Sequence, residues 1–492
     1  MTTTFDVARR GAGWTLTAQV VVGLGQIVYS GFTARIFTPA EFGGFAAALS
    51  LQGILMLLAN TGLPSVVMKE RELSKRDVGR VRIYGLVGGL MAAAGYLLVS
   101  PVWLVALNAP SGTEFVPLLA VALVLAPIAS IESAMLRREG RPFADSMVIV
   151  AAFVVPSVAG VCVAYTWREA WALALVTALY PVTLGVGAAL SRRVRYTSSG
   201  GSAQRTLLSF ATTVSAQNLV FLVLGQLPGW AVSAVLGSAS LGHYSRAGTL
   251  AGIPSTSLAG ALSRAVQPHW RKLVDEQTTA KAIRDTAILT SSLALPMFAT
   301  LVVLGPSLTT VWLGPGWEEA AQIVPWLAAS YGLQVPFTVL ANSLEMRGHF
   351  GPVRAAQLGL GAGLSVGLAF FLLTENVQVA AAATVLSQGC GLLALLLAMA
   401  RTSFVARRRL LSAVVVPLAW AALIGVVGLG GVTAAQTLGL SIAGSSDVAS
   451  VLVGGLAAAL VWLATIRWQP VSRVLAERGI RLPTPLRSAA TR

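Results

Sequence analysis

Fourteen apolar stretches, most about 20 residues long and separated by short polar runs, constrain this chain more than any motif in it. They lie near 14–36, 43–68, 83–107, 115–135, 144–165, 171–190, 207–236, 241–263, 286–312, 320–345, 353–373, 378–400, 411–433 and 448–466. About 20 mainly apolar residues in a helix span the hydrocarbon of a bilayer. Only 11% of the residues are charged, where a soluble domain carries about 25%. The expected fold class is an all-α membrane protein of about 14 transmembrane helices. Pro228-Gly229, inside the long seventh stretch, predicts a kink or break there.

The charges fix an expected orientation. If the even-numbered helices return to the side on which the chain begins, the segments on that side hold 32 of the 35 Lys and Arg residues. The opposite loops hold Arg168 and the acids Glu41, Glu114, Glu169, Glu318, Glu319, Glu375 and Asp447. By the positive-inside rule the layout is N-in/C-in. The net charge of +16 is therefore accounted for by topology. Nucleic-acid binding, which needs basic residues clustered on a folded polar surface, is not expected. Two arginines escape the rule, Arg35 and Arg246, because both fall inside predicted helices.

Cys162 and Cys390 lie in apolar stretches, and His243, His269 and His349 are scattered. Neither a disulfide framework nor a metal site is expected, and no cofactor. Arg9-Arg10 precede an apolar segment that contains Gln19 and Gln26 and lacks a small-x-small cleavage site, so it reads as a retained first helix. Glu132, near the inner end of helix 4, is expected to pair with Arg137 or Arg138. Trp103, Trp312 and Trp317 lie near outer helix ends and read as interface anchors.

The chain also repeats itself. VPLLA (116–120) is matched by VPWLA (324–328), and LRREG (136–140) by LEMRG (344–348), both 208 residues apart. EFGGF (41–45) is matched by SLGHY (240–244), 199 residues apart. An even number of helices separates the copies. The expectation is thus two parallel six-helix repeats related by an axis along the membrane normal, plus two C-terminal helices. The implied domains are an N-terminal six-helix lobe (1–206), a C-terminal six-helix lobe (207–400), helices 13–14 (401–466) and a basic cytoplasmic tail on anionic lipid (467–492). Glycines spaced by four, such as Gly85/Gly89 and Gly359/Gly363, predict close helix packing.

The stretch ARIFTPAEFGGFAAALSLQGILMLLANTGLPSVV (34–67) resembles the start of polysaccharide-biosynthesis flippases of the MOP superfamily. The carrying residues are Arg35, Pro39, Phe42, Gly43 and Thr61-Gly62-Leu63. VLGSASLGHYSRAGTLAGIPSTSL (235–258) resembles that family's helix 7–8 junction, and WLGPGWEEAAQIVPWLA (312–328) its helix 9–10 junction. Where the family often carries a polar or acidic pair midway along helix 7, this sequence has Leu227-Pro228-Gly229-Trp230.

The resemblance implies a flippase of the bacterial plasma (inner) membrane. Its cargo would be an undecaprenyl-diphosphate-linked oligosaccharide, moved from the inner to the outer leaflet by alternating access. Membrane lipid, glycosyltransferases and a glycan polymerase are the implied partners. A diphosphate head group needs a cationic cavity, and arginine binds phosphate oxygens in pairs. Arg35 and Arg246 are the candidate substrate-binding residues. Gln19, Gln26, Gln217, Asn218 and Tyr244 are candidates for sugar contacts, against the competing roles of helix packing and interface anchoring. Three other readings stay open: a lipid II flippase, a drug/cation antiporter of the same superfamily, and a scaffold for glycan enzymes. A membrane glycan polymerase or ligase is not expected, because the longest outer loop (434–447) holds one acid and no arginine or histidine.

Overall fold

The computed structural model describes residues 4–59, 64, 67–68, 75–193, 204–270, 276–402, 407–442, 445–466 and 468–477. Side chains are described for these except 4–12, 16, 75, 204–218, 268–269, 276–277, 402, 473 and 475–477. Thr61-Gly62-Leu63, the end of the basic tail, and the side chains of Gln217 and Asn218 lie outside the described set.

The described residues form the helices α1 (Thr4–Ala34), α2 (Pro39–Ala59), α3 (Lys75–Ala106), α4 (Val116–Arg138), α5 (Pro142–Trp167), α6 (Ala172–Ser191), α7 (Gln204–Leu236) and α8 (Ser238–Trp270). They continue with α9 (Glu276–Leu313), α10 (Glu318–Met346), α11 (Phe350–Thr374), α12 (Val377–Thr402), α13 (Arg407–Thr437), α14 (Ser446–Thr465) and the short α15 (Pro470–Glu477). A 3-10 helix, Pro110–Phe115, leads into α4. Helices α1–α14 coincide with the fourteen apolar stretches. Large apolar side chains face outward, Leu190 and Leu373 each 82% exposed. Water would penalise such surface at about 25 cal/mol per Å², whereas lipid tails do not. This is a multi-pass membrane protein.

Among the described residues, thirteen helices are long and apolar enough to cross a membrane. Helix α8 is not one of them. It has the length, at 33 residues, but it carries six serines, two threonines, His243, Arg246 and Arg264. Of the kink or break expected in the seventh stretch, the break does not occur: α7 runs on as one helix through Pro228.

The chain packs as two compact units, Met1–Arg246 with Leu313–Trp317, and Ala247–Trp312 with Glu318–Arg492. In the first, α6 packs against both α4 and α5, α1 against α5, and α2 against α3, α4 and α7. Glu132 on α4 is buried and ion-paired with Arg82 of α3 and, at 2.5 Å, with Arg192 beyond α6. This corrects the expectation from sequence. Arg137 instead bonds Ser133 Oγ at 2.8 Å and pairs with Asp145, and Arg138 donates to the Val67 carbonyl.

In the second unit, α12 packs against both α10 and α11, and α13 against α14. The stripe Gly359, Gly363 and Gly367 of α11 meets α12 directly. A Cβ on Gly363 would lie 2.9 Å from the Leu386 carbonyl oxygen, and one on Gly367 2.6 Å from Ala383 Cα. The close-packing role read from the glycine spacing holds for this stripe.

The repeat extends to backbone detail. The 3-10 helix with α4 covers 110–138, and α10 covers 318–346, both shifted by 208. Left-handed residues recur at the same offset. Asn108 (φ 48°) matches Gly316 (85°), Gly140 (67°) matches Gly348 (76°), and Arg168 (54°) matches Glu375 (48°), the last pair 207 apart. Arg168 and Glu375 each end a helix with the same single bond, from the residue's N–H to the carbonyl four residues earlier (Ala164, 3.1 Å; Phe371, 2.8 Å). That is a left-handed C-cap. At the 199-residue offset, Gly43 at the start of α2 and Gly242 at the start of α8 lie backbone to backbone in the first unit.

Candidate functional site

The site begins at the turn between α1 and α2. Thr38 and Glu41 form a capping box: the Thr38 N–H donates to Glu41 Oε2 at 2.6 Å, and the Glu41 N–H to Thr38 Oγ1 at 3.4 Å. Pro39 opens α2, where its missing N–H costs nothing. This start directs Phe42 into the protein, where it is 1% exposed. Phe37 and Trp317 stand edge-on to its ring, with centroids 6.5 and 5.5 Å away. Trp317 is pinned by its indole N–H, which donates to the Ala34 carbonyl at 3.1 Å, and His243 stands edge-on to it at 5.3 Å. Trp317 is thus a buried element of this cluster and not the interface anchor its position suggested.

Arg246 comes in from α8. Its guanidinium carbon lies 4.5 Å above the Phe42 ring, and Nη1 donates to Ser30 Oγ at 2.9 Å. Nε is sealed from solvent without a hydrogen-bond partner in the structure. Tyr29 precedes Ser30 on α1, and its hydroxyl is likewise sealed from solvent without a hydrogen-bond partner. Among the described residues no carboxylate pairs with this arginine. A cation–π contact contributes about 0.5–2 kcal/mol, and an intramembrane arginine costs several. Its remaining N–H groups suit an anion bearing several oxygens.

The repeat makes this cluster one-sided. At the 199-residue offset, Arg246 corresponds to Ala47, Phe42 to Leu241 and His243 to Gly44. Ala47 is fully buried, and its carbonyl accepts from the Trp103 indole at 3.2 Å.

The other sequence candidates are placed as follows. Arg35 lies one residue beyond α1, exposed in the turn, with its side chain passing Gly314 at 3.8 Å from where a Cβ would stand. This corrects the expectation that Arg35 falls inside a helix, since α1 ends at Ala34. Gln19 and Gln26 are exposed on α1, and Gln26 is one helical turn from Ser30. Tyr244 is half-buried beside Gly229 of α7. Tyr29, Ser30, Phe42 and Trp317 were not singled out as site residues from sequence. The i, i+4 spacing of Gln26 and Ser30, which continues the Gln19–Gln26 face, was the available signal for Ser30.

Residues 32–322 match a family described as polysaccharide biosynthesis protein. The succinoglycan biosynthesis transport protein ExoT of Rhizobium meliloti (strain 1021) is 24% identical over 343 residues, 68% of each chain. Among solved structures, the lipid II flippase MurJ in an inward closed conformation matches with a TM-score of 0.66 at 11% identity, over 93% of this chain and 98% of that one. An inward-facing multidrug resistance MATE family transporter of the MOP superfamily matches at 0.57 and 14%, over 80% and 95%. At these identities the structural likeness is one of fold.

Proposed function

Because this chain belongs to the polysaccharide biosynthesis protein family, we propose that it is a flippase carrying an undecaprenyl-diphosphate-linked oligosaccharide from the inner to the outer leaflet of the bacterial plasma membrane by alternating access. The observation that carries the reading is Arg246, an arginine whose partners are a hydroxyl and an aromatic face and whose Nε has none. An arginine that served only packing would be expected to have a carboxylate, as Arg82 and Arg192 have in Glu132. The succinoglycan transport relative supports a polysaccharide-pathway cargo. The membrane potential would favour the outward step, by about 2.3 kcal/mol per uncompensated negative charge per 100 mV.

In this reading Arg246 holds the diphosphate. Gln19, Gln26 and Tyr244 contact glycan, with Gln217 and Asn218 as further candidates, and Arg35 attracts the head group near the α1–α2 turn. The lobes 1–206 and 207–400 are the moving parts. The test is transport of a fluorescent polyprenyl-diphosphate oligosaccharide in proteoliposomes by wild type and Arg246→Ala at equal protein density. Loss of transport is expected. Wild-type transport by Arg246→Ala would overturn the assignment, and rescue of a strain depleted of its lipid II flippase would replace the cargo.

A further inference from the structure

We propose that the Tyr29 hydroxyl is a second anion-contacting group at the Arg246 site, selective for a diphosphate ester over a monophosphate; this rests on the flippase reading above. The argument is an inventory of donors. Arg246 presents five N–H bonds, and Ser30 and Tyr29 one O–H each. The contacts of Arg246 in the structure are Ser30 Oγ and the Phe42 ring. Ser30 Oγ accepts from Nη1 at 2.9 Å. Tyr29 Oη and Arg246 Nε are both sealed from solvent without a hydrogen-bond partner.

Buried polar groups are nearly always hydrogen-bonded, and the Tyr29 hydroxyl and Arg246 Nε have no partner. An anion with several oxygens would accept from both. The Tyr29 hydroxyl packs at α5, 3.5 Å from where a Cβ on Gly160 would stand, an ordinary contact distance. Adjacent positions on one helix, Tyr29 and Ser30 present hydroxyls that differ in reach by a phenyl ring. Two separated donors, with the guanidinium, match two phosphoryl groups better than one.

The experiment measures binding of farnesyl diphosphate, farnesyl monophosphate and inorganic pyrophosphate to the purified full-length protein by isothermal titration calorimetry. Wild type, Tyr29→Phe and Arg246→Ala are compared, together with their ligand-free melting temperatures. Tyr29→Phe should weaken farnesyl diphosphate about tenfold, the loss of one hydrogen bond to a charged group, and weaken the monophosphate less. Because the hydroxyl has no partner in the protein, Tyr29→Phe should melt no lower than wild type. Pyrophosphate binding as tight as farnesyl diphosphate would assign the site to the free anion, and weaker binding to the lipid head group; either keeps Tyr29 if the substitution lowers it. Unchanged diphosphate affinity in Tyr29→Phe, with Arg246→Ala lost, overturns the Tyr29 assignment and leaves the flippase reading standing. A lower ligand-free melting temperature, or failure of Tyr29→Phe to fold, gives the hydroxyl a structural role and overturns it too. Unchanged binding by Arg246→Ala defeats the underlying reading.

Discussion

Gly43 and Gly242 touch reciprocally. A Cβ on Gly43 would fall on the Ser238 carbonyl oxygen and lie 3.0 Å from the Gly242 nitrogen, and a Cβ on Gly242 would fall on the Pro39 carbonyl oxygen and lie 3.1 Å from the Gly43 nitrogen. Residues 39 and 43 are the 199-residue mates of 238 and 242, so each copy makes on the other the contact it receives. That is the self-complementarity of a twofold interface, here within one chain. Alanine at either position has no flexible side chain to displace, only backbone. Gly43→Ala and Gly242→Ala should each cost more than the 1–3 kcal/mol typical of overpacking. Fluorescence-detected size exclusion should show loss of the monodisperse peak for both. Gly53→Ala, with nothing within 4 Å, should keep it.

Arg246→Lys separates charge from shape. Lysine keeps the cation and loses the planar fork that can bond Ser30, a ring face and an anion together. Transport should fall about tenfold or more, the equivalent of a bond to a charged group, while expression and melting temperature stay near wild type. Full activity of the lysine variant would mean that charge alone suffices.

Glu132→Gln leaves Arg82 and Arg192 without their shared countercharge. Removing one partner of a buried ion pair costs about 3–5 kcal/mol, and the 38% exposure of Arg82 reduces this toward the lower figure. Arg192, only 15% exposed, bears most of the penalty. Thermal unfolding in detergent should shift down by several degrees. Double replacement of both arginines with glutamine in the Glu132→Gln background should recover part of the loss.

The left-handed C-caps give a paired prediction. Glu375 holds φ 48° without glycine's freedom, at about 1–2 kcal/mol. Glu375→Gly should raise the melting temperature slightly. Gly348→Ala should lower it, because φ is 76° and nothing lies within 4 Å of the new methyl, so the loss is backbone strain alone. Equal melting temperatures for the two variants would show that these turns are not under strain.

How legible each feature was depended on how local its cause is. The helices could be read because each apolar stretch states its own length. The repeat could be read because glycine is kept where φ is positive, at Gly140 and Gly348. Arg246 stood out as a charge inside a stretch read as a membrane helix. Its partners did not, because Ser30 and Phe42 lie about 200 residues away and are ordinary residues of their own helices. Glu132 shows the same limit in reverse. Arg137 and Arg138 are near in sequence, but five and six residues along a helix point away from Glu132, while Arg82 and Arg192 arrive from neighbouring elements. Trp317 was read as an anchor because position in a span is visible in sequence and a hydrogen bond to Ala34 is not.

The polarity of α8 bears on how the chain enters the bilayer. Helix α7 ends at Leu236 and α8 begins at Ser238, with Gly237, at φ 87°, the whole connection. Insertion machinery admits a segment by its own apolarity, and central arginines are charged a few kcal/mol. A segment that fails that entrance test on its own, yet is joined to an apolar one by a single residue, is carried in as half of a hairpin. Entry of α8 would then depend on the apolar α7 beside it, so the arginine that would serve transport is brought into the bilayer by its neighbour.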